Sequence, residues 1–197
     1  MRYVALGDSY TIGTSVEREE RFPELLVRVE PRLELVANLG VDGYTTADLI
    51  RDELPALPGL APEFITVLIG VNDVVQRVPD ATYEANLVEI FDVLLAAVPP
   101  SRIVALSIPD YTVTPAGADY GDPSARHAAI VEANSIMARQ CDQRAVAFVD
   151  IFDLSLGAAG DRTLVARDGL HPSGAQYARW VDRLAPVVTR VLGDEVG

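Results

Sequence analysis

Five short apolar runs are strung along the 197 residues, and segments whose apolar residues recur at helical spacing separate them. A buried strand reads as a continuous run of Val, Ile, Leu or Phe bounded by turn residues, whereas an amphipathic helix repeats every three or four positions. The runs lie at 3–7, 33–38, 64–69, 102–107 and 146–150. Between them, Phe22, Leu25, Leu26 and Val29 form one stripe, and Leu87, Ile90, Phe91, Leu94 and Leu95 a stronger one. Ile130, Val131, Ile136 and Met137 mark a third. A fourth runs from Tyr177 through Trp180, Val181, Leu184, Val187 and Val188 to Val191. A shorter helical piece over 46–53 opens on a threonine cap. Strands alternating with helices pair in parallel through crossovers, which predicts a three-layer α/β/α sandwich. Neither an internal repeat nor a linker composition interrupts the pattern, so residues 1–197 read as one domain. The prolines at 55, 58 and 62 are too few to divide it and lead into the third strand.

Composition then removes whole classes of chemistry. All sixteen basic residues are arginine, against 29 acidic residues and a formal charge of −13. Without lysine there is no Schiff base and no lysine-dependent phosphate loop. Such acidity argues against nucleic acid and anionic membrane surfaces, which require a positive footprint. One cysteine, Cys141, forms no internal disulfide, and two histidines are too few for a His/Cys metal site. No cofactor or metal is expected. The longest apolar stretches are broken by charge or proline before they reach the ~18–20 residues that span a bilayer. The chain opens directly into a strand with Asp8 close behind it, so no signal peptide and a cytoplasmic location are expected.

What remains is hydroxyls, carboxylates and two imidazoles, and their positions are ordered. In an open parallel sheet, ligands bind outside the carboxyl ends of the strands. Gly7-Asp8-Ser9-Tyr10 follows the first run, and a stretch from Asn38 through Gly43 to Thr46 follows the second. Gly70-Val71-Asn72-Asp73 follows the third, and Asp168-Gly169-Leu170-His171-Pro172 lies in the loop beyond the fifth. A hydroxyl, a glycine amide, a carboxamide and an Asp/His pair therefore open onto one sheet edge. That is the inventory of acyl transfer: nucleophile, oxyanion donors, base and orienting group. Each block alone has a plainer reading as a turn or helix cap; their common order after successive strands is what carries the functional one.

In these blocks the chain resembles the SGNH (GDSL-type) hydrolases along its whole length, in the manner of the small bacterial lysophospholipase, thioesterase and arylesterase members. The resemblance implies a flavodoxin-like five-stranded parallel sheet and a metal-free serine esterase acting on small ester substrates. It implies Ser9 as nucleophile, His171 as base and Asp168 as the group orienting the histidine. Gly43 and Asn72, with the Ser9 amide, would form the oxyanion hole. Tyr10 departs from the leucine in the family's name, a change that bears on local packing. Short-chain or acetyl esters are the expected substrates; the alternatives are lysophospholipids or acyl-thioesters and, in another class, a binding module without turnover. No partner beyond a small molecule is implied, and the oligomeric state is left open.

The remaining candidates have structural readings. Asp8 is expected to accept a hydrogen bond that holds the Ser9 turn, and Trp180 and Cys141 to be core. His127 is expected to face solvent on a helix, and the 17–21 charge cluster to be a solvated helix entrance. The loops 108–122 and 153–167, with Tyr111, Pro115 and Tyr120 in one and Leu154, Leu156 and Leu164 in the other, are expected to shape the acyl pocket.

Overall fold

The computed structural model describes residues 1–193. Its elements run β1 (Arg2–Gly7), α1 (Ser9–Ile12), α2 (Phe22–Val29), β2 (Glu34–Asn38), α3 (Thr46–Asp48), α4 (Leu57–Leu60), β3 (Phe64–Leu68), α5 (Val71–Gln76) and α6 (Asp80–Ala97). They continue with β4 (Ile103–Leu106), α7 (Pro123–Gln143), β5 (Ala147–Val149), α8 (Phe152–Leu156) and α9 (Gly174–Leu192). The five strands form one parallel sheet in the order β2-β1-β3-β4-β5, as the alternation predicts. Register runs from Tyr3 opposite Phe64 to Gly7 opposite Leu68, and Leu106 pairs with Val149 at the far edge. Because every pairing is parallel, all five carboxyl ends share one edge.

Helices flank the sheet, with α2 packed against α9 and α6 against α7. Both faces of β3 are covered, so its residues are all buried and read as a run rather than an alternation. Each fully buried Leu, Ile or Phe contributes ~1.5–3 kcal/mol. Trp180 is fully buried, with Tyr177 edge-on at 4.8 Å and Tyr10 edge-on at 6.2 Å. The Tyr177 hydroxyl donates to the Tyr10 carbonyl at 2.9 Å. The apolar stripe of α9 thus fixes the four-residue helix that begins at Ser9.

Three details depart from the sequence expectations. The 46–53 helix makes one α turn and then widens into a π turn at Leu49–Glu53 and a 3-10 turn at Leu54–Ala56. Pro55 has no N–H with which to continue an α ladder. The proline stretch that follows is helical (α4) before β3 begins. Val29 and Val131 are exposed, since one is the last residue of α2 and the other lies a helical step away from buried Ile130. Among the described residues no helix is long and apolar enough to cross a membrane, and no group of three or more His, Cys, Asp or Glu is placed to hold a metal ion.

Candidate active site

β1 delivers its last residue to the sheet edge, and the chain turns at once into α1. Asp8 caps that helix: its Oδ1 accepts from Tyr10 N at 3.0 Å, the role expected of it. Burial pushes the Asp8 carboxyl up to about 8, with the Tyr10 N–H opposing and Asp73 and Asp42 adding to the rise. Ser9 is the first helical residue and is 7% exposed, accessible from one side only.

Asp168 and His171 sit on one tight turn. Asp168 Oδ1 accepts from the backbone N–H groups of Leu170 at 2.9 Å and His171 at 3.0 Å. Its Oδ2 meets His171 Nδ1 at 2.6 Å and also accepts from Ser15 Oγ at 2.6 Å. Burial alone would raise this carboxyl; the donors from Ser15, Leu170 and His171 outweigh it and hold the group at about 2. Asp168 is therefore an anion at any pH where an imidazole can act as base, and it fixes the proton on Nδ1. The Tyr10 ring stands edge-on to the imidazole at 5.9 Å, so the residue that departs from the family's leucine packs directly on the histidine.

Asn72 lies in the first turn of α5, the helix that follows β3. Its Nδ2 donates to the Tyr44 carbonyl at 2.9 Å, which leaves the second N–H of that amide free to donate elsewhere. Next to it, buried Asp73 accepts from Thr46 N at 2.9 Å and Thr46 Oγ1 at 2.5 Å, and Asn86 donates to the same hydroxyl at 2.8 Å. Burial raises the Asp73 carboxyl while the Thr46 bonds pull it down. This knot ties the loop after β2 to the start of α5. Gly43 sits in that loop at φ +81°, exposed, with nothing within 4 Å of the position its Cβ would take. The glycine answers to the left-handed backbone, and the space over it is open.

Ser9, Asn72 and His171 line one cavity of about 40 Å³, with Tyr10, Val71, Val75, Tyr111, Tyr120 and Leu170 completing its walls. Asp168 stands behind His171, and Gly43 is not on the cavity wall. Among the described residues no hydrogen bond joins Ser9 Oγ to His171; such bonds tighten when substrate arrives. Of the two long loops, 108–122 supplies Tyr111 and Tyr120, whereas 153–167 supplies nothing: Leu164 is fully buried and Leu156 faces solvent. The Tyr111 hydroxyl is buried and has no hydrogen-bond partner among the described residues.

His127 is exposed on α7, as expected, and it also has a partner. Its Nδ1 lies 2.6 Å from Oδ2 of Asp110, a carboxylate 1% exposed that also accepts from Thr112. Asp110 also caps the 3-10 turn Tyr111–Val113, so the pair anchors the start of that turn. Two residues near the site were invisible to the sequence reading: Ser15, 153 positions from its partner, and Asp110. Nothing local signals either contact.

The family model for GDSL-like lipase/acylhydrolases matches residues 5–179. No curated protein matches the chain. Among solved structures it is similar to a member of the lipolytic G-D-S-L family from Veillonella parvula, at 17% identity over 96% of this chain and 99% of that one, with a TM-score of 0.79. It is similar also to the psychrotrophic esterase EstA from Pseudoalteromonas sp. (18%, 98% and 99%, TM-score 0.71). A third is Axe2, an acetylxylan esterase from Geobacillus stearothermophilus (20%, 98% and 94%, TM-score 0.69). These likenesses establish the sandwich fold; the family match extends to chemistry and makes the protein an ester-hydrolysing enzyme. The chain belongs to the GDSL-like lipase/acylhydrolase family.

Proposed function

We propose that this protein is a serine esterase, a single domain over residues 1–197, acting on short-chain or acetyl esters through an acyl-enzyme on Ser9. The observation that carries the reading is the shared cavity: Ser9, His171 and Asn72 all line it, with Asp168 Oδ2 2.6 Å from His171 Nδ1. Ser9 Oγ attacks the ester carbonyl and His171 Nε2 takes its proton. The oxyanion is met by the Ser9 N–H, the free N–H of Asn72 and the Gly43 N–H. His171 then protonates the leaving alcohol, activates a water, and the acyl group departs as acid.

A cavity of about 40 Å³ supports the short-acyl preference, because roughly 10–15 Å³ already holds one water. It has room for a few heavy atoms, which suits an acetyl or other short acyl group. We place the enzyme in the cytoplasm, in keeping with a single cysteine that is buried and unpaired. The test is a fluorophosphonate probe read by intact mass and peptide mapping. One adduct on the Ser9 peptide, lost in Ser9→Ala and His171→Ala, is expected. Turnover retained by a folded Ser9→Ala would sink the proposal.

A further inference from the structure

Residues 13–16, which follow the nucleophile's helix, pass between two other loops of the site and grip both. The Thr14 hydroxyl donates to Asp42, the neighbour of Gly43. One residue on, the Ser15 hydroxyl donates to Asp168 Oδ2 at 2.6 Å, onto the same oxygen that holds His171 Nδ1. Adjacent hydroxyls thus fasten the chain behind Ser9 to the oxyanion loop on one side and the His171 loop on the other.

The backbone of Ser15 is left-handed, with φ 67°, two residues after Gly13 at φ 73°. A serine in that conformation is strained where a glycine would not be. Such strain persists where a side chain is needed and the surroundings hold it. The only side-chain hydrogen bond of Ser15 among the described residues is the one to Asp168. With Leu170 N and His171 N on Oδ1, this bond brings the carboxylate to four donors, two per oxygen. Rotation of the carboxylate away from the imidazole then breaks bonds at both oxygens.

We propose that Ser15 is a positioning residue for the His171–Asp168 pair: its hydroxyl locks the Asp168 carboxylate in place and draws off part of its negative charge. This rests on the triad reading above. Charge withdrawn from the carboxylate is unavailable to stabilise the imidazolium, so removal of the hydroxyl should leave more of it for His171. The groups facing the pair are the Tyr10 ring on the imidazole and Ser15 on the carboxylate, with Asp42 held one residue further along by Thr14.

Ser15→Gly separates the hydroxyl from the fold, because it removes the donor and relieves the left-handed strain together. The expected result is a melting temperature equal to or above wild type, a kcat about 3–10-fold lower, the loss of roughly one hydrogen bond, and a KM within about twofold. The acid limb of the pH–rate profile should move up by about half a unit. Ser15→Asn, which tolerates the backbone and carries an amide donor, should recover part of both.

The chain has two histidines, so ring NMR with His127→Gln for assignment follows the His171 titration without any turnover. The His171 resonances should titrate at higher pH in Ser15→Gly than in wild type. An unchanged titration overturns the proposal whether or not the enzyme acts on the ester supplied. So does a kcat loss that tracks a falling melting temperature with the pH limb fixed. Failure of fluorophosphonate to label Ser9 would instead strike the triad reading, while the NMR comparison still decides the role of Ser15.

Discussion

Asp168 carries the sharpest single-residue prediction. Asparagine in its place keeps an acceptor for the Leu170 and His171 amides but no longer dictates that the imidazole proton sit on Nδ1. The base then presents the wrong tautomer to Ser9, and kcat should fall by about four orders of magnitude. Steady-state hydrolysis of an aryl acetate by folded Asp168→Asn measures this; a loss under tenfold would mean that Asp168 does not orient the base. The Asp168/His171 pair was open to sequence reading because both members lie on one turn, and Ser9 and Asn72 because each directly follows a strand. Ser15 and Asp110 were hidden for the opposite reason: their partners are brought to them by the fold across 153 and 17 residues. His127 fell between, since its helix was visible and the carboxylate beneath it was not.

The connections that carry the site show what periodicity can and cannot convey. All five strands lie within a residue or so of their apolar runs. The central three, β1, β3 and β4, read most clearly because strands covered on both faces are apolar almost throughout, whereas the edge strands β2 and β5 are only half-buried. The irregular piece between β2 and β3 was less accessible, since α, π and 3-10 turns there share one stretch of sequence broken by Pro55. Its link to α5 is the Asp73–Thr46–Asn86 knot, which sets Asn72 relative to the Gly43 loop. Asp73→Ala would leave the Thr46 N–H and hydroxyl without their acceptor in a buried place, at ~1–3 kcal/mol for each group left unpaired. Denaturant unfolding should register that loss, and if Asn72 and Gly43 serve the oxyanion as proposed, kcat should fall at least tenfold as the two lose their common frame. Asp73→Asn keeps one oxygen as acceptor and should recover most of the stability. Equal activity in Asp73→Ala and wild type would show that the knot does not set the oxyanion hole.

Across the molecule, acidity is distributed between two kinds of carboxyl group with opposite consequences for pH. Asp8 and Glu53 are buried close behind Ser9, and each has one oxygen without a partner among the described residues. Glu53 Oε2 accepts from Gly7 N at 2.9 Å, yet burial outweighs that bond and pushes its carboxyl up to about 9; Asp8 rises to about 8. Both stay protonated in the folded chain at neutral pH, whereas in the unfolded chain they ionise near 4. Unfolding therefore releases protons, and stability falls as pH climbs from about 4 until it passes 8–9. Glu30 acts in reverse: the Arg32 guanidinium holds it at about 2, so its contribution is present above its ordinary range and lost as pH falls toward 2. The formal charge of −13 adds self-repulsion on the alkaline side. Urea unfolding should accordingly give a maximum between about pH 4 and 5 and a decline of some kcal/mol by pH 8.5, since each pK unit between the two states is worth about 1.4 kcal/mol. Glu53→Gln preserves the acceptor for Gly7 N and removes the ionisation, so its stability should fall less steeply over pH 5–9 than that of wild type. Parallel slopes for the two proteins would remove Glu53 from the account. On the proposed mechanism His171 must be uncharged to take the proton of Ser9, so turnover is expected to gain with rising pH while the fold beneath it loses stability, and the usable pH range of the enzyme would be set by where those two trends cross.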